Sequence, residues 1–154
     1  MRLIRTSRDK LLFHLGQREK QALCVVLKLY PRIPSAHQPL SKTATLPDQD
    51  AAQRLLDEAL AEQRAENKNK VRAFLADPKR FAADEKGWRL TLSPVDVEWL
   101  LQILNDIRVG SWIILGAPEE KEEELNETTA PHIWAMEVSG YFQMGLLEAL
   151  GKGG

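Results

Sequence analysis

The feature that most constrains the fold is the stretch from residue 97 to 115, which is apolar on almost every side. A capping signal precedes it. Ser93 can accept hydrogen bonds from the free N–H groups of a first turn, Pro94 suits the first helical position, and Asp96 follows three residues after the cap. Gly116 comes next, and glycine readily adopts the left-handed backbone that ends helices. The pattern therefore predicts a central, buried helix.

This stretch is nearly as long as a membrane span, but it carries charged residues. Glu98, Asp106 and Arg108 would each oppose insertion by roughly 2.5 to 3.5 kcal/mol. We therefore expect a helix of a soluble core and no membrane association.

A second apolar helix is predicted between Pro131 and Gly151, because proline favours helix starts and glycine favours helix ends. Its apolar residues again surround the axis. Two such helices bury most apolar surface by packing on each other, so they are expected to form the core pair.

Short strands are predicted at residues 2–6 and 10–15, on either side of a polar turn, and at residues 88–92, where apolar and polar residues alternate. Two further helices are predicted, one from Gln17 to Tyr30 and one from residue 48 to 77, the latter either continuous or kinked.

Together these elements predict a mainly α fold, a four-helix bundle-like core with a small antiparallel β-sheet. All 154 residues fit a single domain. The proline-rich residues 31–47 and the acidic residues 117–130 are expected to be flexible loops.

Composition narrows the functional classes. Cys24 is the only cysteine, so a disulfide framework is excluded, and the charged opening residues do not form an export signal. A cytoplasmic location is expected. Residues 1–47 hold nine Lys or Arg against two acidic residues, although the whole chain has a net charge of −1. This basic part could contact nucleic acid, or it could neutralise the acidic remainder.

No motif indicates catalysis, a cofactor or a metal. The glycines do not form a phosphate-binding loop, and Cys24 lies in an apolar run where thiols are usually inert. His14, His37 and His132 have no second ligand type at helical spacing. Enzyme activity is therefore uncertain, and the sequence favours a protein that is not an enzyme.

Polar residues interrupt the central helix at 105–108. Asp106 and Arg108 are two residues apart and cannot pair on one helix, so each needs a partner from another segment or from solvent. The nearest partners by topology lie on the last helix. The candidate polar cluster comprises Asn105, Asp106, Arg108, His132, Glu137 and Gln143. It either anchors the fold or forms a pocket that holds a ligand.

The pattern of Leu90–Leu92, the Ser93 cap, Trp99 and Asn105-Asp106-x-Arg108 resembles an uncharacterised bacterial family, domain of unknown function 2017. Members are often encoded near the ClpS adaptor of the Clp protease, so the resemblance implies a link to regulated proteolysis. The family has no assigned reaction, and the resemblance therefore assigns no catalytic residue.

The sequence leaves three function classes open. The favoured one is a non-enzymatic interaction or regulatory protein, because a domain of this size cannot cover two all-round apolar helices from every side. A homodimer is the simplest way to cover them, with Trp112 or Trp134 in the interface. The alternatives are nucleic-acid binding through Arg2, Arg5, Arg8, Lys10, Arg18 and Lys20, and an unrecognised enzyme with a pocket at Asp106 and Arg108. Nucleic acid is the less favoured partner because no base-reading motif is present.

Overall fold

The computed structural model describes residues 1–34, 49–119 and 125–152, and these residues form four helices and a four-stranded antiparallel sheet. In chain order the elements are β1 (Arg2–Thr6), β2 (Leu11–Leu15), α1 (Gln17–Leu27), α2 (Gln49–Ala76), β3 (Phe81–Asp84), β4 (Gly87–Leu92), α3 (Pro94–Ile114) and α4 (Ala130–Lys152).

The sheet has the strand order β1-β2-β4-β3, and every neighbouring pair is antiparallel. On β2, Leu11, Phe13 and Leu15 are buried, whereas Leu12 and His14 between them are only partly buried. Alternation with a period of two places the first three on the face that the helices cover. The predicted strands at 2–6, 10–15 and 88–92 are present with nearly these bounds.

The predicted four-helix bundle-like core is wrong. The fold is α+β, with a sizeable sheet that includes a strand, β3, that was not predicted. In addition, α2 buries only Val71 and Phe74, both near its C-terminal end. There the Phe74 ring lies 5.5 Å from Phe81 of β3 and 5.7 Å from Trp99 of α3, centre to centre. Only the C-terminal end of α2 therefore packs into the core, so α2 does not pack along its length as a helix of a four-helix bundle does.

The α3 and α4 helices do pack closely on each other, as predicted. The capping signal is also confirmed, because the Asp96 N–H donates to Ser93 Oγ and the Ser93 N–H donates to an Asp96 carboxylate oxygen. Gly116 has a φ of +93° just after the helix, which fits its predicted role. Within the described ranges, no helix is long and apolar enough to cross a membrane.

The two predicted loops are only partly described, since residues 35–48 and 120–124 lie outside the described residues. Where the chain is described, it makes defined contacts. Arg32 and Ile33 donate backbone hydrogen bonds to α3. Asn126 Oδ1 accepts from the N–H groups of Thr128 and Thr129 just before α4. At these two loop ends side chains satisfy backbone groups, and the flexibility of the two loops stays a prediction.

Candidate functional site

The structure divides the predicted polar cluster into two places. Asn105 and Asp106 line a small pocket of about 200 Å³ between α2 and α3. The other place is a groove of about 770 Å³ between α3 and α4, which Arg108, Glu137 and Gln143 line. The sixth residue of the cluster, His132, contacts the segment that follows α1. The six residues therefore do not form one site.

Asp106 holds the chain that follows α1. Its Oδ1 accepts hydrogen bonds from the backbone N–H groups of Arg32, at 2.7 Å, and of Ile33, at 3.4 Å. Burial raises the pKa of Asp106, because desolvation outweighs these hydrogen bonds and the nearby Arg64 charge. The close approach depends on Gly110, where a Cβ atom would lie 2.3 Å from the Arg32 carbonyl carbon. Asp106 therefore anchors a backbone segment against α3.

Further polar contacts fix the same segment. Arg64 Nη2 donates to the Ile33 carbonyl at 2.7 Å, and an Arg32 guanidinium nitrogen lies 2.7 Å from His132 Nδ1. His132 was predicted as a direct partner of α3, but among the described residues it reaches Asp106 only through Arg32. The sequence analysis singled out Asp106 on α3 but did not find its partner Arg32. No local pattern shows which distant segment packs against a helix.

The groove between α3 and α4 is mainly apolar. On α4 its lining recurs at a spacing of three or four residues, which defines one helix face. The apolar side chains and the glycine that line the groove are Val109, Trp112, Leu115, Pro118, Ile133, Met136, Gly140, Met144 and Leu147. Several remain open to solvent, with exposed fractions of 62% for Met144, 56% for Leu147 and 38% for Trp112. This face of the helix pair lacks a cover from the described parts of the chain.

Two opposite charges lie at the edges of this groove. Arg108 and Glu137 are both exposed, and among the described residues neither forms an ion pair within the chain. The only hydrogen bond that the Arg108 side chain makes to a described group goes to Asn105 Oδ1, at 3.2 Å. The groove thus combines an apolar floor with a cation and an anion that have no ion-pair partner among the described residues.

The basic residues proposed to contact nucleic acid are distributed over β1, the turn that follows it and α1. Arg2 and Arg5 lie on β1, and Arg8 and Lys10 lie in the turn that follows it. The other two, Arg18 and Lys20, belong to α1, and the Lys20 ammonium lies 3.4 Å from the centre of the Trp88 ring. At least one of the six is thus engaged within the fold.

The residues that the structure describes contain no group of three or more His, Cys, Asp or Glu side chains that could hold a metal ion. Comparison of the chain with protein-family models, with curated proteins and with solved structures found no match. The resemblance to domain of unknown function 2017 therefore stays a prediction.

Proposed function

We propose that this chain is a non-enzymatic interaction protein that binds a second copy of itself through the α3–α4 groove. The observation that carries this proposal is the uneven distribution of exposed apolar surface. Among the described residues, eight of the twelve large apolar side chains that remain exposed lie on α3 or α4, and three of these, Trp112, Met144 and Leu147, line the groove. Contiguous apolar patches of this kind mark interaction sites, whereas single exposed apolar residues are ordinary.

The groove residues suit an interface in type as well as in position. Tryptophan and methionine are enriched at protein interfaces, and Trp112, Met136 and Met144 all line the groove. Fully burying one side chain such as Met144 or Leu147 contributes roughly 1.5 to 3 kcal/mol. A few such side chains supply the central contacts of a dimer.

The edge charges favour a second copy over an unrelated partner. In a dimer with two-fold symmetry, every contact between two different residues occurs twice, because each chain supplies both residues. Arg108 and Glu137 lie on opposite helices at the edges of one groove, so a two-fold arrangement can pair Arg108 of each chain with Glu137 of the other. Both unpaired charges are then satisfied by a surface that the chain itself provides.

The other function classes have weaker support. For an enzyme, the Oδ1 atom of Asp106 is already occupied by two backbone N–H groups, and the nearest histidine ring nitrogen bonds to Arg32. For nucleic acid, the basic residues present no base-reading element. A cytoplasmic location, which the single cysteine favours, and a link to Clp-type regulated proteolysis, which the resemblance implies, remain part of the proposal.

The proposal is tested by measuring mass in solution. We expect sedimentation velocity at tens of micromolar to give twice the chain mass. A Leu147→Glu or Met144→Glu substitution should shift the protein to one chain mass, because an unpaired carboxylate would be buried in the interface. The matched control is Leu55→Glu on α2, where the side chain is 67% exposed and lies away from the groove. Dissociation by the control to the same extent, or a monomeric unmodified protein, would refute the proposal.

A further inference from the structure

A second surface, unrelated to the groove, lies on the first strand. β1 pairs only with β2, so its other edge has no strand partner among the described residues. Four of its five residues are exposed, Leu3 being the exception. An edge strand of this kind presents free backbone N–H and C=O groups, with which an extended peptide can pair.

The side chains of β1 give this edge a strong positive charge. Arg2 lies opposite His14 and Arg5 lies opposite Leu12, with a bulge between the two positions at Ile4. Because His14 and Leu12 are two residues apart on β2, Arg2 and Arg5 share the outer face of the sheet. The adjacent turn adds Arg8 and Lys10, and Asp9 supplies its only acidic side chain.

Because of the bulge, Arg2 and Arg5 have the register of two residues that are two positions apart on β2, which is the spacing of residues on one face of an extended peptide. Two residues along a strand span about 6.6 to 6.8 Å, and side chains at positions i and i+2 lie on one face. A strand added to β1 with acidic residues at alternate positions would place carboxylates opposite Arg2 and Arg5. Opposite charges that face each other across strands are stabilising, whereas like charges are not.

We propose that the free edge of β1 binds an extended peptide segment with acidic residues at alternate positions, by strand addition next to Arg2 and Arg5. The same charges disfavour a second copy at this edge, because pairing two β1 strands would bring the arginines of both chains together. Single-stranded nucleic acid is disfavoured because the outer face carries Leu12, His14, Arg89 and Thr91 and so offers no row of aromatic rings on which bases could stack.

The test uses the full chain and a fluorescent peptide that alternates glutamate and threonine. We expect saturable binding by fluorescence anisotropy, weakened by salt. Arg2→Gln with Arg5→Gln should weaken it about 2- to 30-fold, the equivalent of losing two cross-strand charge pairs. The matched control removes two charges elsewhere, by Lys68→Gln with Arg72→Gln on the exposed side of α2. We expect this control to leave the affinity close to that of the unmodified chain.

Two further measurements distinguish strand addition from simple charge attraction. A peptide of the same composition with its glutamates in one block should bind more weakly, and the amides of β1 should gain protection from hydrogen exchange only with the alternating peptide. Equal binding of both peptides, or equal losses in both charge variants, would overturn the proposal. So would tighter binding of an oligothymidylate of the same charge through Arg2 and Arg5, since it would identify the surface as a nucleic-acid site.

Discussion

The two faces of the α3–α4 pair are both apolar, but other elements of the chain cover one face and leave the other open to solvent. The inner face, which comprises Ile103, Leu104 and Ile107 on α3 and Ala135, Ser139, Phe142, Leu146 and Ala149 on α4, is almost fully buried. The groove face carries equally apolar residues such as Met144 and Leu147, yet these are more than half exposed. Apolar character alone therefore does not decide burial. What decides it is whether another element of the chain covers that side of the helix.

Polar groups on the two faces differ in the same way. At the inner side of α3, Asp96 receives two hydrogen bonds from the Arg80 guanidinium, at 2.6 and 3.2 Å. Asp106 holds two backbone N–H groups. At the groove, Arg108 and Glu137 have no ion-pair partner among the described residues. The two carboxylates on the inner side are thus bound within the chain, although two buried serine hydroxyls, one on each helix, have no hydrogen-bond partner among the described residues. The groove side instead carries two exposed charges that a partner could satisfy.

The largest expected effect contrasts two neighbouring leucines on α4. Leu146 is 2% exposed, so Leu146→Ala should lower the free energy of unfolding by about 2 to 5 kcal/mol through lost burial and a cavity. Leu147→Ala should change it by no more than about 0.5 kcal/mol at concentrations low enough to keep the chain monomeric, and should instead weaken self-association. Urea denaturation measures both values. Equal losses of stability would mean that the groove side is covered within the chain.

The next effect concerns the ion pair at the start of α3. Burial acts to raise the pKa of Asp96, but hydrogen bonds from Arg80 and Ser93 outweigh it and hold the pKa below its ordinary value of 3.8. Asp96→Asn should therefore cost about 1.5 to 3 kcal/mol at pH 7. Because the folded-state pKa is lowered, this contribution is complete above the ordinary pKa and is lost as the pH falls through the folded-state value. Denaturation of both proteins between pH 7 and 3 tests this, and a difference independent of pH would argue against a charged pair.

A smaller effect of opposite sign is expected at Asp106. Its pKa is raised by burial, so the folded state binds a proton more readily than the unfolded state does. The wild type should therefore gain stability relative to Asp106→Asn as the pH falls from 7 towards the ordinary value of 3.8. At pH 7 the substitution should change stability by only about 1 kcal/mol, because the asparagine oxygen can still accept both backbone N–H groups. A wild type that loses stability relative to the variant over this range would show that a cation, and not burial, controls Asp106.

The parts of the fold that the sequence predicted are those that local chemistry determines. The Ser93, Pro94 and Asp96 signal, the all-round apolar α3 and the alternation around Leu90 all depend on residues close in the chain. The strand β3 was missed because Phe81-Ala82-Ala83-Asp84 has one large apolar residue, and its identity depends on pairing with β4.

The candidate sites show the same limit. The sequence singled out Asp106 as a polar residue on an apolar helix, but its partner Arg32 is 74 residues away and follows a different helix. Glu137 was grouped with Asp106 and Arg108 because the last helix was the nearest element by topology, and the sequence does not show which side of α3 that helix covers. Only the packing of α3 on α4 separates the pocket from the groove.

Charge exchange across the groove tests the proposed two-fold dimer most directly. Arg108→Glu and Glu137→Arg, each alone, place like charges opposite each other in a homodimer, whereas a mixed dimer of the two variants restores both attractive pairs. Since both residues are exposed, neither substitution should change the unfolding free energy of the monomer by more than about 1 kcal/mol. We predict that sedimentation velocity finds each variant largely monomeric and their equimolar mixture dimeric. A mixture that associates no better than its separate components would contradict the account.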